Sequence, residues 1–278
     1  MAPIASAGEA MANETQERQT AVALLELWGT GQQRPGLPVS DMASAYRIAG
    51  YIRSLREARG DRVVGRKIGF SNTSIWPLYA VDRPIWNYVW ETTVRPASEG
   101  RATLSLDPFS EPRIEPEIVF QLARTPEPGM NEAALLGCID RVALGFEIVQ
   151  SVFPGWKFSA PAATAAFGLH GALVLGPWSE IGDNGPGWAD RLHDFSVTLF
   201  KNGAAVETGH ARNVLGGPLT ALRFLVEAVG QEGAGPQLQA GEIVTTGTLT
   251  DAHVISQGET WSADLEGLDL GGLQVAFS

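Results

Sequence analysis

The sequence predicts an α+β protein in which a helical N-terminal region precedes a larger β-rich part. Segments 15–28 and 40–59 carry apolar residues at helical spacing. From residue 62 onward the apolar runs shorten to strand length, and 32 glycines and 17 prolines supply turns between them. No repeat, linker or charge run divides the chain. We therefore expect a tail and helical cap over residues 1–60 and one β-rich catalytic domain over residues 61–278.

The predicted helices have recognisable ends. Ser40 is suited to cap the start of the second helix, and Gly60 is suited to end it. A third helix is predicted over 218–229, where Pro218 falls in the first turn and its missing N–H is harmless. Residues 1–13 are small and polar, and we expect them to be disordered.

Short runs rich in β-branched and aromatic residues predict the strands. Asn202-Gly203 predicts a hairpin with a type I′ turn, because both residues tolerate positive φ. The predicted strands are 62–70, 103–106, 114–123, 141–149, 171–175, 194–200, 242–246, 260–265 and 273–277.

The charge balance narrows the possible partners. Thirty-one acidic residues face 20 basic ones, a net charge of −11, which disfavours nucleic acid and anionic membranes. The single cysteine, Cys138, excludes an intrachain disulfide, and the N-terminus has no basic segment ahead of an apolar run. We expect a cytoplasmic protein. An anionic substrate would need local positive charge from a metal ion or a few basic side chains.

Several common catalytic motifs are absent from the sequence. There is no GxSxG elbow, no HExxH and no P-loop, and the glycines near Gly29 follow a predicted helix rather than a strand. The histidines also lack the spacing of metal ligands. They are His170, His193, His210 and His253. These observations disfavour zinc, serine-hydrolase and nicotinamide chemistry.

Three glutamates are the most informative residues. Glu115 and Glu117 are two apart in a predicted strand and therefore share a face, which is also what a solvated strand surface would show. Glu147 lies in an apolar run that reads as buried on both faces, so it needs a metal ion, a proton or a core arginine as partner. An all-carboxylate oxygen set suits Mg²⁺ or Mn²⁺ better than zinc.

A lysine and a threonine-rich segment add candidates. Lys67 lies between Gly65 and Gly69, and the glycines would let a ligand approach the backbone closely, although an exposed edge-strand lysine fits equally well. The segment 245–250 offers hydroxyls and backbone N–H groups to a substrate carboxylate. Threonine is also a common strand residue.

Together these segments resemble the fumarylacetoacetate hydrolase superfamily, and within it the branch of 2-oxopent-4-enoate hydratases and 2-oxo-3-hexenedioate decarboxylases. The resemblance implies a mixed β-roll of the C-terminal type found in that superfamily, one Mg²⁺ or Mn²⁺ on Glu115, Glu117 and Glu147, a catalytic Lys67 and a homo-oligomer. The matching motifs are Gly65-Arg66-Lys67-Ile68-Gly69-Phe70, Glu115-Pro116-Glu117, Glu147-Ile148-Val149, Asn213-Val214-Leu215-Gly216-Gly217-Pro218-Leu219 and the run 240–248.

The chain departs from the branch at polar positions around the substrate. Members of the branch often have an aspartate soon after the proline that follows the lysine strand, whereas here Pro84 is followed by Ile85. Gln150-Ser151-Val152 stands where they often have Asp-Ser-Arg, and Ala165-Ala166-Phe167 where Ala-Asp-Asn is typical.

The resemblance implies a hydratase that adds water to a 2-hydroxy-2,4-dienoate through a metal-bound enolate, as in meta-cleavage aromatic catabolism. Thr248 would help to hold the substrate carboxylate. The alternatives are a 2-oxo-3-enedioate decarboxylase, an acylpyruvate-type C–C hydrolase and a non-catalytic subunit that binds 2-oxo acids. The decarboxylase needs a second cationic group, for which Arg83, Lys157 and Arg212 are candidates.

Overall fold

The computed structural model describes residues 7–182, 185–231 and 235–278. Helices α1 to α7 span Ala7–Leu27, Met42–Ala58, Trp76–Tyr79, Glu132–Leu136, Ala160–Ala165, Gly185–His193 and Pro218–Val229. Strands β1 to β14 span Val63–Gly69, Ile85–Trp90, Val94–Pro96, Arg101–Leu104, Arg113–Leu122, Ile139–Val149, His170–Leu175, Ser179–Glu180, Ser196–Lys201, Ala204–His210, Ile243–Thr245, His253–Val254, Thr260–Glu266 and Leu273–Phe277. None of the described helices is both long and apolar enough to cross a bilayer.

Two mixed sheets form the body of the protein. The larger has the order β2-β1-β11-β5-β6-β7-β3, with β12 paired to β5 and β8 to β6. The smaller has the order β10-β9-β13-β14-β4. Most neighbours are antiparallel, whereas β1–β11, β3–β7 and β14–β4 are parallel. This arrangement confirms the predicted α+β class with a helical N-terminal region.

The two faces of the larger sheet have different neighbours. Alternation along β5 sends Ile114, Ile118 and Phe120 into the main apolar core, which also contains residues of β9, β13 and α7. The opposite face carries Glu115, Glu117 and then Val119. That face therefore changes along β5 from carboxylates to an apolar patch.

The N-terminal helices pack on α5. Leu24 of α1 and Ile48 of α2 are fully buried in a second apolar cluster, which Ala165 and Phe167 join from the segment before β7. The helices also share an ion pair between Arg47 and Glu17, with a nitrogen–oxygen distance of 2.6 Å. The cap thus lies against the chain that leads into β7, and the division at residue 60 stays a prediction.

The structure corrects the predicted N-terminal boundaries. Helix α1 begins at Ala7, so the expectation of disorder is wrong for residues 7–13, whose alanine, methionine and glutamate residues favour helix. Residues 1–6 lie outside the described residues. Helix α2 is capped by Asp41 rather than Ser40, because the Asp41 carboxylate accepts a 2.7 Å hydrogen bond from the backbone N–H of Ser44.

Other predicted elements are confirmed. The turn between β9 and β10 has φ values of 51° at Asn202 and 82° at Gly203, as a type I′ turn requires. Helix α7 has the predicted bounds. Strand β10 forms the second strand of the predicted hairpin. Strands β2, β3, β8 and β12 lie outside the predicted strands, because β2 is buried at all six positions and shows no period-two alternation, and the other three are only two or three residues long.

Candidate active site

Strand register brings the three predicted carboxylates together. In the β5–β6 pair Glu115 lies directly opposite Glu147, and Glu117 lies opposite Gly145, so all three side chains share one face. One oxygen from each carboxylate lies within 4.8 Å of the others. Glu117 and Glu147 have no exposed surface, which excludes the alternative of a solvated strand face.

Lys67 reaches the same cluster from β1. Its strand neighbour Thr245 pairs with Val119, which lies on the carboxylate face of β5. The Lys67 ammonium lies 3.1 Å from Oε2 of Glu147 and donates a 2.9 Å hydrogen bond to the carbonyl of Gly168. Lys67 is buried, so it is not an edge-strand lysine. The basic partner of Glu147 is thus this lysine rather than an arginine.

The glycines that lie beside the Lys67 side chain are Gly168 and Gly69, and not the predicted Gly65. Gly168 has φ of +60°, and a Cβ there would lie 2.9 Å from Cβ of Asn87 and 3.2 Å from Cδ of Lys67. Gly69 lies beside the ammonium. The ligand-clearance role predicted for Gly65 is wrong, because a Cβ there would lie 2.0 Å from the backbone oxygen of Ile243 in the neighbouring strand.

His170 completes the cluster and was missed by sequence reasoning. A bulge in the β6–β7 pair shifts the register so that Val149 faces His170, which turns the imidazole onto the carboxylate face. Nδ1 of His170 lies 2.7 Å from Oε1 of Glu147, and Nε2 lies 2.8 Å from Oγ1 of Thr93. A histidine in a buried apolar strand was the available signal. The imidazole holds one oxygen of Glu147 and leaves the other for a different partner.

Electrostatics within the cluster are strongly coupled. Burial raises the pKa of Glu115 to about 7 and raises the pKa of Glu117 well above its usual value, with nearby carboxylates adding to both shifts. Burial would also raise the pKa of Glu147, but the Lys67 ammonium and the contact with His170 outweigh it and lower that pKa. Burial opposes the charge on Lys67, yet the carboxylates, Glu147 foremost, raise its pKa overall.

The donor set fits a hard divalent cation. Oε2 of Glu117 accepts a 2.8 Å hydrogen bond from the backbone N–H of Gly247, whereas its Oε1 is buried without a hydrogen-bond partner among the described residues. Oε2 of Glu147 has the Lys67 ammonium 3.1 Å away as its ion-pair partner and no further partner among the described residues. Unpartnered buried carboxylate oxygens are costly, and Mg²⁺ and Mn²⁺ prefer oxygen ligands.

A cavity of about 290 Å³ opens beside Lys67 and Glu115. Its volume is at the small end of ligand sites, which suits a short substrate. Aromatic side chains form one wall, with successive rings 4.9 to 6.0 Å apart between centroids. They are Phe70, Tyr79, Phe158 and Trp156. A larger cavity of about 370 Å³ between Trp28 and Phe109 includes neither Lys67 nor any carboxylate of the cluster.

The predicted substrate residue Thr248 lines the cavity. Its hydroxyl already donates a 2.8 Å hydrogen bond to the carbonyl of Thr250. The hydroxyl of Ser71, missed by sequence reasoning, also lines the cavity, and a Cβ at Gly247 would lie 2.0 Å from it. Gly247 therefore allows Ser71 to approach the turn that binds Glu117.

The residues that differ from the usual sequence of the branch lie in or near the two cavities. Ile85 lies in the cavity wall, where it makes that part of the wall apolar. Gln150 accepts a hydrogen bond from the backbone N–H of Ser110 and lines the other cavity. Phe167 packs on Trp28, with ring centroids 4.3 Å apart. None of the three provides a polar group to the cavity beside Lys67.

Comparisons with known proteins agree with this fold. The chain is 28% identical over 240 residues to the 2-hydroxyhexa-2,4-dienoate hydratase of Comamonas testosteroni, covering 85% of this chain and 87% of that protein. It is 27% identical over 242 residues to a 4-oxalocrotonate decarboxylase of Pseudomonas sp., covering 86% and 90%. Its fold matches the 4-oxalocrotonate decarboxylase of Pseudomonas putida G7, solved with magnesium and adipate, with a TM-score of 0.85 at 24% identity over 95% and 98% of the two chains.

The decisive match is to a family model. Residues 83–275, which include the three glutamates and most strands of both sheets but not β1 with Lys67, match the model described as fumarylacetoacetate (FAA) hydrolase C-terminal. The predicted β-roll of this type is thereby confirmed. The chain belongs to the fumarylacetoacetate hydrolase family.

Proposed function

We propose that this protein is a divalent-metal-dependent hydratase that adds water to a 2-hydroxy-2,4-dienoate, as in meta-cleavage aromatic catabolism. The observation that carries the proposal is the cluster of three carboxylates beside Lys67, in which Glu117 and Glu147 are fully buried and each has one oxygen without a hydrogen bond from the described residues. The relatives with hydratase and decarboxylase names, which span most of the chain, support the same class of substrate.

Glu115, Glu117 and Glu147 would hold the cation, with Mg²⁺ or Mn²⁺ as the expected ion. When bound, the cation supplies Lewis-acid polarisation of the substrate's 2-oxygen. Charge balance supports this assignment, because one divalent cation and the Lys67 ammonium together offset three ionised carboxylates. His170 would keep Glu147 oriented through its 2.7 Å contact to Oε1.

Lys67 would stabilise negative charge that develops on the substrate's 2-oxygen. The ammonium lines the cavity and is fixed between Glu147 and the carbonyl of Gly168. The carboxylates raise its pKa, so it stays protonated and serves as an electrostatic donor that needs no reorganisation during the reaction.

The rest of the cavity would orient the substrate. Thr248 would contact the substrate carboxylate, helped by the hydroxyl of Ser71. The wall of Phe70, Tyr79 and Phe158 would cover the apolar part of the substrate and keep bulk water from the enol.

A 2-oxo-3-enedioate decarboxylase is the second candidate, favoured by the decarboxylases among the relatives. The basic residues predicted for its distal carboxylate are not supported. Arg83, Lys157 and Arg212 are absent from the residues that line the cavity. Arg83 is exposed and pairs with Asp82 instead.

A product-identified assay of the Glu147→Gln variant tests the function. We expect the wild-type protein to consume a 2-hydroxy-2,4-dienoate only with Mg²⁺ or Mn²⁺, as seen in the ultraviolet, and to form a product heavier by one water. Glu147→Gln should lose this activity and bind Mn²⁺ more than about 100-fold more weakly. Loss of a residue that only orients a ligand lowers metal affinity about 10- to 100-fold, and loss of the ligand itself should lower it further. The control Glu26→Gln removes the same charge from an exposed position of α1. Loss of CO₂ from a dicarboxylate would instead support the decarboxylase, and normal magnesium dependence in Glu147→Gln would exclude Glu147 as a ligand.

Replacing Lys67 by methionine should separate catalysis from metal binding. We expect the turnover of Lys67→Met to fall about 10²- to 10³-fold, as for the loss of one preorganised donor. Its affinity for Mn²⁺ should be retained or increased, because a competing cation is removed from the cluster. Lys201→Met, which removes a lysine paired with Glu259 away from the cavity, is the control. Unchanged turnover in Lys67→Met would contradict the assigned role.

Metal affinity should depend on pH. The raised pKa values of Glu115, about 7, and of Glu117 mean that a cation displaces protons from the metal-free protein. Below pH 7 the apparent affinity for Mn²⁺ should therefore rise about tenfold per unit increase in pH for each proton displaced. Titration calorimetry of Mn²⁺ binding in buffers of different ionisation enthalpy counts the protons released. The Glu115→Gln variant should release fewer protons than the wild-type protein. An affinity that is independent of pH between 5.5 and 7 would be inconsistent with the raised pKa values.

A further inference from the structure

The contacts of His170 continue beyond the carboxylate cluster to Thr93. Thr93 ends the short turn Glu91–Thr93 between β2 and β3, and its side chain is buried. Its Oγ1 lies 2.8 Å from Nε2 of His170 and accepts a 3.3 Å hydrogen bond from the backbone N–H of Trp90. A hydrogen-bonded row therefore runs from the backbone of Trp90 through Thr93 and His170 to Oε1 of Glu147.

The Glu147 end of this row fixes where the protons lie. Burial opposes ionisation of Glu147, but the Lys67 ammonium and the contact with His170 outweigh burial and lower its pKa. An ionised carboxylate only accepts hydrogen bonds, so the 2.7 Å contact with Oε1 requires a proton on Nδ1 of His170. A neutral imidazole carries one N–H, so Nε2 is then an acceptor and receives the proton of the Thr93 hydroxyl.

The carbonyl of Trp90, 2.8 Å from the same hydroxyl, is the competing acceptor. If the Thr93 hydroxyl pointed there, Nε2 would need a proton of its own, and His170 would become a second buried cation near Lys67. The proposed divalent cation and the Lys67 ammonium already offset three carboxylates, so this extra charge would be buried without a counter-ion. Charge balance therefore favours the arrangement in which the hydroxyl points at His170.

Thr93 acts from outside the substrate cavity. Neither Thr93 nor His170 lines the cavity beside Lys67, and Thr93 lines the second cavity instead. The backbone sets the position of Thr93, because β3 begins at the next residue and pairs with β7 in the register that joins Val94 to Leu173. A fixed hydroxyl of this kind orients the neighbour of a metal ligand without touching the substrate.

We propose that Thr93 is a positioning residue whose hydroxyl donates to Nε2 of His170, holds the imidazole as the Nδ1–H tautomer and so keeps Oε1 of Glu147 in place. The hydrogen bond at one ring nitrogen selects which nitrogen carries the proton. This inference rests on the proposed function, because Glu147 is one of the ligands proposed for the cation. With Oε1 held by His170, Oε2 stays beside Lys67 and available to the cation.

Nitrogen NMR of the histidine side chains at neutral pH, with and without Mg²⁺, reports the tautomer directly, because protonated and bare ring nitrogens have well-separated shifts. The chain has only four histidines, and the signals lost in His170→Gln assign His170. We expect a protonated Nδ1 and a bare Nε2 in the wild-type protein. Protons on both nitrogens, or on Nε2 alone, would overturn the proposal.

Two variants of Thr93 test its part in this arrangement. Thr93→Val removes the hydroxyl and should lose the Nδ1–H tautomer and bind Mn²⁺ about 10-fold more weakly, the lower end of the range for a residue that supports a metal ligand. Thr93→Ser keeps the hydroxyl and should retain the wild-type tautomer and affinity. Thr20→Val, which removes a buried hydroxyl bonded to the carbonyl of Gln16 within α1, is the matched control. Unchanged His170 signals in Thr93→Val, or a loss in Thr93→Ser as large as in Thr93→Val, would overturn the proposal.

The two readouts separate this inference from the proposed function. A wild-type protein that binds no Mn²⁺ but shows the Nδ1–H tautomer, lost in Thr93→Val, would overturn the metal site and support the action of Thr93 on His170. Altered His170 signals in Thr93→Val with wild-type Mn²⁺ affinity would overturn the positioning of Glu147 and leave the metal site intact. If Thr93→Val does not fold, the wild-type spectrum decides, because protons on both ring nitrogens overturn the proposal without any variant.

Discussion

The site depends on how the protein compensates three carboxylates that share one face of two paired strands, with Glu117 and Glu147 fully buried and Glu115 half-buried. Like charges at this separation repel, and burial removes the water that would screen them. The β5–β6 register places Glu115 directly against Glu147, so the repulsion is inherent in the pairing that also builds the core. A sheet with this register needs positive charge or protons on this face, and each neighbouring element supplies part of the compensation.

The compensating groups come from different strands and are positioned by backbone features. Lys67 comes from β1, and it reaches Glu147 because Gly168, at positive φ, leaves space for its side chain. His170 comes from β7, turned to the correct face by a bulge. The backbone N–H of Gly247 binds one oxygen of Glu117. Among the described residues, Oε1 of Glu117 is left without a partner and Oε2 of Glu147 has only the Lys67 ammonium beside it, a position that suits a cation.

Much of this architecture could be predicted from sequence, because it rests on local pattern. The two-residue spacing of Glu115 and Glu117 in a strand, and the isolation of Glu147 in an apolar run, mark them as candidates, and the resemblance to the superfamily joins them into one site, which the strand register confirms as a cluster. His170 could not be identified in this way, since it reaches the carboxylate face only through a bulge that sequence periodicity does not reveal.

The most direct test of this account is anomalous diffraction at the manganese edge from crystals grown with Mn²⁺. We predict one strong peak within bonding distance of an oxygen from each of Glu115, Glu117 and Glu147, beside the Lys67 ammonium. A cluster that binds no manganese, with the carboxylates held by protons and Lys67 alone, would contradict it.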